Sequence, residues 1–570
     1  MSGFTIFHHT NWSAVPIPLG EGRHFHFVDE GRNKHFHFHY HGHHRFAKDN
    51  AFVETDRYIL GIDGVLLNLQ DLKVKTGIHQ LDRILIQLYQ SYQEELPQYL
   101  RGEFVGFLFD KNNQRLFFYG NQTATRKAFY TQIENALCIA PKLGSLVALQ
   151  QAIGKKNQLN HRAAYALLSY GATLDRQTLV DSVYRMRAGE WLQASNNQIQ
   201  LNSYIDYNNV VISKSRKSEL IDQLDHWFTQ AIYREYQKDV EYGYQHLATL
   251  SGGLDSRMNV MLAAKQGFHG THFCFSQSDY PDEHIARQIS QHLKSNFHFI
   301  PLDEVPQVYD LTENVDLYDG TLFYLSSAHF NHALKQLDLD SFGLIHTGMI
   351  GDGILGGLLS SPQLNPPNVR QKLLSHLLFP KIEKEVTELA KSYSCEDSFH
   401  LYNRVFNLTN SSAFVCEQHS YLVSPFMYPE FIQLCLSIPP QMKYREKIYL
   451  EWINKIHPDL NRFVWEKTGF RPSHHWKTQL SRLTQKIRHL TFHRLGQENR
   501  LSMTPYDYWY RNDERFQTFY QEQLKRQLPL LSDHLELQKD VQNLFDQGNA
   551  IEKSMALSLL IAVKKYQLSC

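Results

Sequence analysis

The period of the apolar positions changes along the chain, and the changes divide it. Through the first 150 residues, short runs alternate apolar and polar side chains: HFHFV, KHFHFHYH, YILGIDGVLLN, FVGFLFD and RLFFYG. Alternation with a period of two predicts strands that bury one face. Turn-forming clusters such as Asp29–Asn33 and Asp110–Gln114 separate several of these runs. One segment, LDRILIQLYQSYQ, repeats its apolar positions at helical spacing. Residues 1–150 therefore predict an α+β sheet domain, residues 151–215 a mixed connector, and residues 216–240 an amphipathic helix.

From Tyr244 onward apolar runs and helical patterns take turns. HLATL reads as a buried strand, MNVMLAAKQG as a helix with a glycine stop, and THFCFS as the next strand. DEHIARQISQHLK reads as a second helix and FHFIPL as a further strand. This alternation predicts a doubly wound parallel sheet, an α/β architecture that binds ligands beyond the carboxyl ends of its strands. From about residue 370 the chain reads as mainly helical and closes with EKSMALSLLIAVKKYQ. At 570 residues it is too long for one core.

Composition narrows the function classes. The 58 basic residues are balanced by 58 acidic ones, so no excess charge exists to neutralise phosphates and no nucleic-acid partner is expected. Six cysteines lie far apart with no CxxC pair, as expected of reduced thiols. No basic start leads into an apolar core, and no apolar run approaches the ~20 residues of a membrane span. A cytoplasmic protein is the expectation.

The densest chemistry lies in Ser251-Gly252-Gly253-Leu254-Asp255-Ser256, between a predicted strand and helix. Paired glycines let backbone N–H groups approach an anion, and the helix N-terminus adds a favourable partial charge. The serines supply hydroxyls and Asp255 a carboxylate for magnesium. The terminal Gly-Lys-[Ser/Thr] of a Walker A loop is missing.

SGGLDS resembles the pyrophosphate loop of N-type ATP pyrophosphatases, and its surroundings resemble the asparagine synthetase family. FSQSDYPDEHIARQISQHLK, HTGMIGDGILGG, YLVSPFMYPEFIQLCLSIPPQMK and REKIYL…VWEKTGFRP follow in that family's order over about 240–475. GEFVGFLFDKNNQRLFFYGNQTATRKAFY resembles the end of its glutaminase fold. The resemblance implies an Ntn-hydrolase-like sandwich over 1–150 and an ATP pyrophosphatase domain of the adenine nucleotide alpha hydrolase type over 216–570, with a helical C-terminal part. It also implies ATP and Mg2+, a carboxylate and an amine as substrates, and a homodimer. Ser251, Gly252, Gly253 and Ser256 take the pyrophosphate positions, and Asp255 and Asp352 the magnesium positions. Leu250, Phe275 and Gly348 fall where the family lines the nucleotide pocket. Lys467 matches the lysine that stabilises phosphate charge, and Lys447 is a second basic candidate.

The chain departs from that family at telling places. The nucleophilic cysteine after the initiator methionine is Ser2, the Asn-Gly oxyanion donor aligns with Asp63-Gly64, and the glutamine-gripping acid falls at Leu81. A serine hydroxyl is a far weaker nucleophile than a thiolate, and an ionised Asp63 repels an oxyanion. A dead glutaminase is the expectation. In the synthetase half, Met349 stands for an acidic residue and Tyr428 for an aspartate, which implies substrates unlike aspartate and ammonia. β-Lactam synthetase and lasso-peptide cyclases resemble the same scaffold without a glutaminase. The WEKTGFRP ending and long helical tail resemble relatives from surface-polysaccharide gene clusters, which makes a sugar acid or nucleotide sugar a substrate candidate. Two rivals stay open: a glutamine-dependent amidotransferase using Ser2, and a non-catalytic ATP-binding scaffold.

One feature falls outside this scheme. Eight of the 31 histidines, His24, His26, His35, His37, His39, His41, His43 and His44, crowd one short stretch. Alternation puts imidazoles on one strand face and aromatics on the other. Such a face is a feasible zinc geometry, but no cysteine or carboxylate completes a compact site. The expectation is a half-exposed strand with a histidine face.

Overall fold

The computed structural model describes residues 2–9, 21–29, 34–133, 136–195, 198–473 and 502–569. The alternating runs become antiparallel strands: β1 (Gly3–His9), β2 (Arg23–Asp29), β3 (Lys34–His41), β4 (Ala51–Glu54), β5 (Tyr58–Leu66), β6 (Gly102–Asp110) and β7 (Arg115–Gly120). The predicted turn at Asp29–Asn33 lies, beyond Asp29, outside the described residues.

Two shorter strands, β8 (Phe129–Ile133) and β9 (Ala136–Ala140), join them, as do β10 (Val183–Arg185), β11 (Glu190–Ser195) and β12 (Gln198–Ser203). The result is two six-stranded sheets, ordered β10-β8-β9-β1-β3-β2 and β12-β11-β7-β6-β5-β4. Residues 151–215 are thus more than the expected connector, since β10 to β12 complete an edge of both sheets. Their partners are distant in sequence (Trp191 pairs with Tyr119, Tyr184 with Tyr130), so no local periodicity announces them.

Between the sheets, Phe4, Ile6, Phe36, Phe38 and Tyr40 meet Phe52, Ile59, Phe107, Phe109 and Phe118. Such aromatic packing carries the largest apolar area per residue. The KHFHFHYH run sends its aromatics inward, while His37 stacks between Phe7 (4.6 Å) and His26 (4.3 Å) on the opposite face. Helices α1 (Leu69–Thr76) and α2 (Leu81–Tyr92) cover the second sheet, setting Ile84, Leu85 and Leu88 against Leu60, Ile62 and Phe117. The first sheet's outer face gives Phe7, Phe129 and Cys138 to a core that runs on into the other half. No solvent layer separates the halves there.

The second half begins with α3 (Lys217–Tyr242), then β13 (Gln245–Thr249), α4 (Leu254–Lys265), β14 (Thr271–Ser276), α5 (Pro281–His292), β15 (Asn296–Pro301), β16 (Phe342–His346) and β17 (Leu422–Val423). All pairings are parallel, in the order β15-β14-β13-β16-β17. The chain runs outward from β13 through β14 to β15, then returns to the other side of β13 as β16. That reversal makes the carboxyl ends of β13 and β16 a topological switch point, where open α/β sheets bind ligands. Helix α6 (Lys447–Ile456) packs on α3, and α7 (Ala550–Tyr566) runs through the continuous core. The latter buries Leu557, Ser558, Leu559, Leu560, Ile561, Ala562 and Val563, which point around its whole circumference, as a helix inside a core must. No helix among the described residues is long and apolar enough to cross a membrane.

Candidate functional site

Two loops meet at the switch point. The first, Leu250–Ser256, leaves β13 and opens α4. Its Ser251 N–H donates to Ser256 Oγ (3.0 Å), and Gly253 N–H donates to Ser251 Oγ (3.2 Å). The second, residues 347–352, leaves β16 and lies directly on the first. A Cβ at Gly348 would sit 2.3 Å from Ser256 N, and one at Gly351 2.5 Å from Asp255 Cγ. Only glycine permits that approach. Asp352 N–H then donates to Asp255 Oδ2 (2.8 Å), locking the two aspartates side by side.

A third segment closes the site. The buried Arg257 guanidinium donates to the carbonyls of Gly252 (2.9 Å), Val464 (2.6 Å), Phe463 (3.1 Å) and Leu460 (3.2 Å). One side chain thereby ties the first loop to the stretch that carries Lys467. Lys467 Nζ lies 2.5 Å from Glu446 Oε1 and 4.0 Å from Asp352 Oδ2.

Together the three segments line a cavity of about 530 Å³, within the range of small-molecule sites. Leu250, Ser251, Gly253, Asp255, Ser256, Phe275, Gly348, Asp352 and Lys467 all line it. Two expected residues do not. Gly252 lies under Glu466, with its N–H donated to Asp282 Oδ1 (2.7 Å), so a carboxylate already holds that amide. Lys447 is exposed outside the cavity, while its neighbour Glu446 is buried within it. Consecutive left-handed residues, Arg445 (φ 57°) and Glu446 (φ 59°), turn the chain just before α6 and aim the acid inward. Sequence reasoning missed Glu446, Asp282, Glu466, Tyr449 and His329, all cavity-lining. Asp282 and Glu446 lie inside segments that carried the family resemblance, and that proximity was the available signal.

The lining is acid-rich. Removal from bulk water and then the neighbouring Asp352 push the Asp255 carboxyl up to about 8. Burial likewise pushes Glu466 up to about 7 and Asp282 up to about 6. Two adjoining carboxylates that resist ionising together suit a hard divalent cation, which lets both carry charge. The oxygen-only donor set fits magnesium.

Beneath the loops, Asp239 of α3 staples the two strands that carry them. Its Oδ2 lies 2.9 Å from His246 Nδ1 on β13 and 2.8 Å from His346 Nε2 on β16, and its Oδ1 accepts Leu344 N–H (2.7 Å). This is the group of three ligand-type side chains that converges among the described residues.

The N-terminal half holds a second polar cluster. Arg126 is buried among Ser2, Asp63 and Glu417, with Nη2 donating to Ser2 Oγ (2.8 Å) and to Asp63, and Nη1 to Glu417 (2.9 Å). Its guanidinium lies 5.3 Å from the Tyr421 ring centroid, and the Tyr40 hydroxyl donates to Asp63 (3.1 Å). Asp63 is therefore a paired carboxylate, not the bare one the sequence suggested. Leu81 opens α2 and is buried in the core behind the second sheet.

Comparison with known proteins bears on both halves. The family model described as asparagine synthase matches residues 223–411, and that described as a glutamine amidotransferase domain matches residues 49–205. A glutamine-hydrolysing asparagine synthetase of Asparagus officinalis is 22% identical over 433 residues, 72% of this chain and 61% of that protein. Asparagine synthetase 2 of Bacillus subtilis is 22% identical over 245 residues, 40% of this chain and 32% of that protein. Asparagine synthetase 1 of Arabidopsis thaliana is 26% identical over 231 residues, 38% of this chain and 35% of that protein. The matches thus span about a third to three-fifths of these relatives.

Proposed function

The chain belongs to an asparagine synthetase-like family, and from that premise we propose that it is an ATP-dependent amide-forming ligase that adenylates a carboxylate and transfers it to an amine. The observation that carries this reading is the convergence of Ser251, Gly253, Asp255, Ser256, Asp352 and Lys467 on one cavity at the sheet's switch point. In the proposed reaction a substrate carboxylate oxygen bonds to the α-phosphorus of ATP. The bond from that phosphorus to the α–β bridging oxygen breaks, and pyrophosphate leaves with the electron pair. An amine nitrogen then bonds to the acyl carbon, the C–O bond to AMP breaks, and the nitrogen loses a proton. Protein side chains contribute by positioning and by neutralising charge.

Asp255 and Asp352 would hold Mg2+, which supplies charge neutralisation on the polyphosphate. The serine hydroxyls and loop amides take the pyrophosphate end. Lys467, oriented by Glu446, brings its ammonium against the same charge. Phe275, Leu250 and Gly348 form the nucleoside side of the cavity.

We read the N-terminal sandwich as an Ntn-hydrolase-like domain without glutaminase chemistry, so the amine arrives preformed. The Arg126 cluster supports this. A hydroxyl that accepts from a buried guanidinium is a poor nucleophile, and the cation beside Ser2 is itself neutralised by Asp63 and Glu417. Met349 in the cavity lining supports a carboxylate or amine other than aspartate and ammonia. A sugar acid or nucleotide sugar is the candidate that the resemblance offers. A cytoplasmic location goes with this reading.

The test is exchange of labelled pyrophosphate into ATP across sugar acids and amino acids. Carboxylate-dependent exchange is expected, and Asp352→Ala or Lys467→Ala should abolish it while the circular dichroism spectrum is unchanged. Exchange that persists in Asp352→Ala would overturn the assignment.

A further inference from the structure

One half-buried polar side chain of the cavity has no role in the ligase chemistry. His329 lines the same space as the two loops. Its Nδ1 is sealed from solvent and has no hydrogen-bond partner among the described residues. With Nδ1 sealed and the ring still lining the cavity, we infer that the Nε2 edge is the one it offers. Burial lowers the imidazole to about 4, so the ring is neutral at physiological pH and carries one N–H. A buried N–H without an acceptor costs more than a bare ring nitrogen, which places that hydrogen on Nε2, facing the cavity.

The surroundings select what this donor meets. The ring lies 5.4 Å from Phe275 at 44°, and Phe275 lies 5.6 Å from Phe330. Leu250, Met349 and Met503 complete an apolar lining. Lys467 is the cation of the lining among the described residues, and it is held beside Glu446 and Asp352 at the phosphate end. The His329 side thus lacks a charge to fix a carboxylate, but has aromatic walls for a flat ring and one neutral donor for an uncharged acceptor.

We propose that His329 reads the nucleobase, donating its Nε2–H to an acceptor nitrogen of adenine. This assignment rests on the ligase reading. It goes beyond it by naming the side chain that sets base specificity, a role that neither motif nor resemblance gave.

Calorimetric titration with Mg-ATP and with its 1-deaza, 3-deaza and 7-deaza analogues tests it, using the wild-type chain, His329→Phe and His329→Gln. One analogue should bind the wild type about 5–20-fold more weakly than ATP, the range of one hydrogen bond lost at a buried partner. His329→Phe should lose a similar factor for ATP and show no further loss with that analogue, because the partner is gone. His329→Gln, which keeps a donor at that reach, should recover part of the affinity. If all three analogues bind the wild type as ATP does, the assignment is wrong. It is equally wrong if His329→Phe weakens ATP yet still distinguishes the same analogue. A wild type that fails to bind Mg-ATP at all sinks the ligase reading itself, a result separable from indifference to the analogues.

Discussion

Asp255 decides the electrostatics of the site. Its carboxyl lies raised to about 8, above its ordinary value of 3.8, so the folded chain keeps a proton that the unfolded chain sheds. By linkage this group favours the fold at low pH, and that contribution is lost as pH rises from about 4 to about 8. A divalent cation must displace the proton. Apparent Mg2+ affinity should therefore climb between pH 6 and 8, at most about tenfold per unit, and Asp352→Asn should flatten the climb. Titrating Mg2+ in buffers of different ionisation enthalpy reads the released proton directly. A flat profile would show that Asp255 is already ionised. At Lys467, loss of the ammonium should cost on the order of 10²–10³-fold in exchange rate, as for other groups aimed at developing charge. Lys447→Ala should leave the rate within error, because that side chain is exposed outside the cavity.

At the scale of elements, the glycine loops and the strands beneath them act as one unit. Gly351→Ala would drive a methyl into Asp255. It should destabilise the fold by about 1–3 kcal/mol, measured by urea unfolding, and weaken Mg-ATP binding more than that loss explains. Asp239→Ala should cost about 3–5 kcal/mol, because it strands two buried imidazoles and the Leu344 N–H. Elements were legible in the sequence where their pattern is local. KHFHFHYH spans Lys34–His41 as a strand, THFCFS is Thr271–Ser276, and the helix predicted over 216–240 runs from Lys217 to Tyr242. Elements defined by distant partners were not. The two-residue β17 exists because Leu422 and Val423 find Ile345 and His346, and β10 to β12 complete sheets begun more than fifty residues earlier. The same physics governs the site. Its glycine loops are contiguous and readable, whereas Glu446, Asp282 and His329 reach the cavity only through the fold. The Glu446–Lys447 swap turns on two left-handed residues that no periodicity encodes.

Across the whole molecule, Arg126 joins the halves: Asp63 lies in the N-terminal sandwich and Glu417 just before β17. Removing the guanidinium leaves two buried carboxylates unpaired. Arg126→Ala should therefore lower the melting temperature of the chain, read by calorimetry. Neither the wild type nor Ser2→Ala should release ammonia from glutamine, and the exchange rate should be the same in both. Ammonia release by the wild type, lost in Ser2→Ala, would restore a glutaminase to the N-terminal half. On this reading a magnesium-bound triphosphate lies between the two glycine loops, and isothermal titration with Mg-ATP measures that binding. One site per chain is expected, with binding abolished in both Asp255→Ala and Asp352→Ala. Wild-type chains that bind no Mg-ATP, or variants that bind it as well as the wild type does, would contradict it.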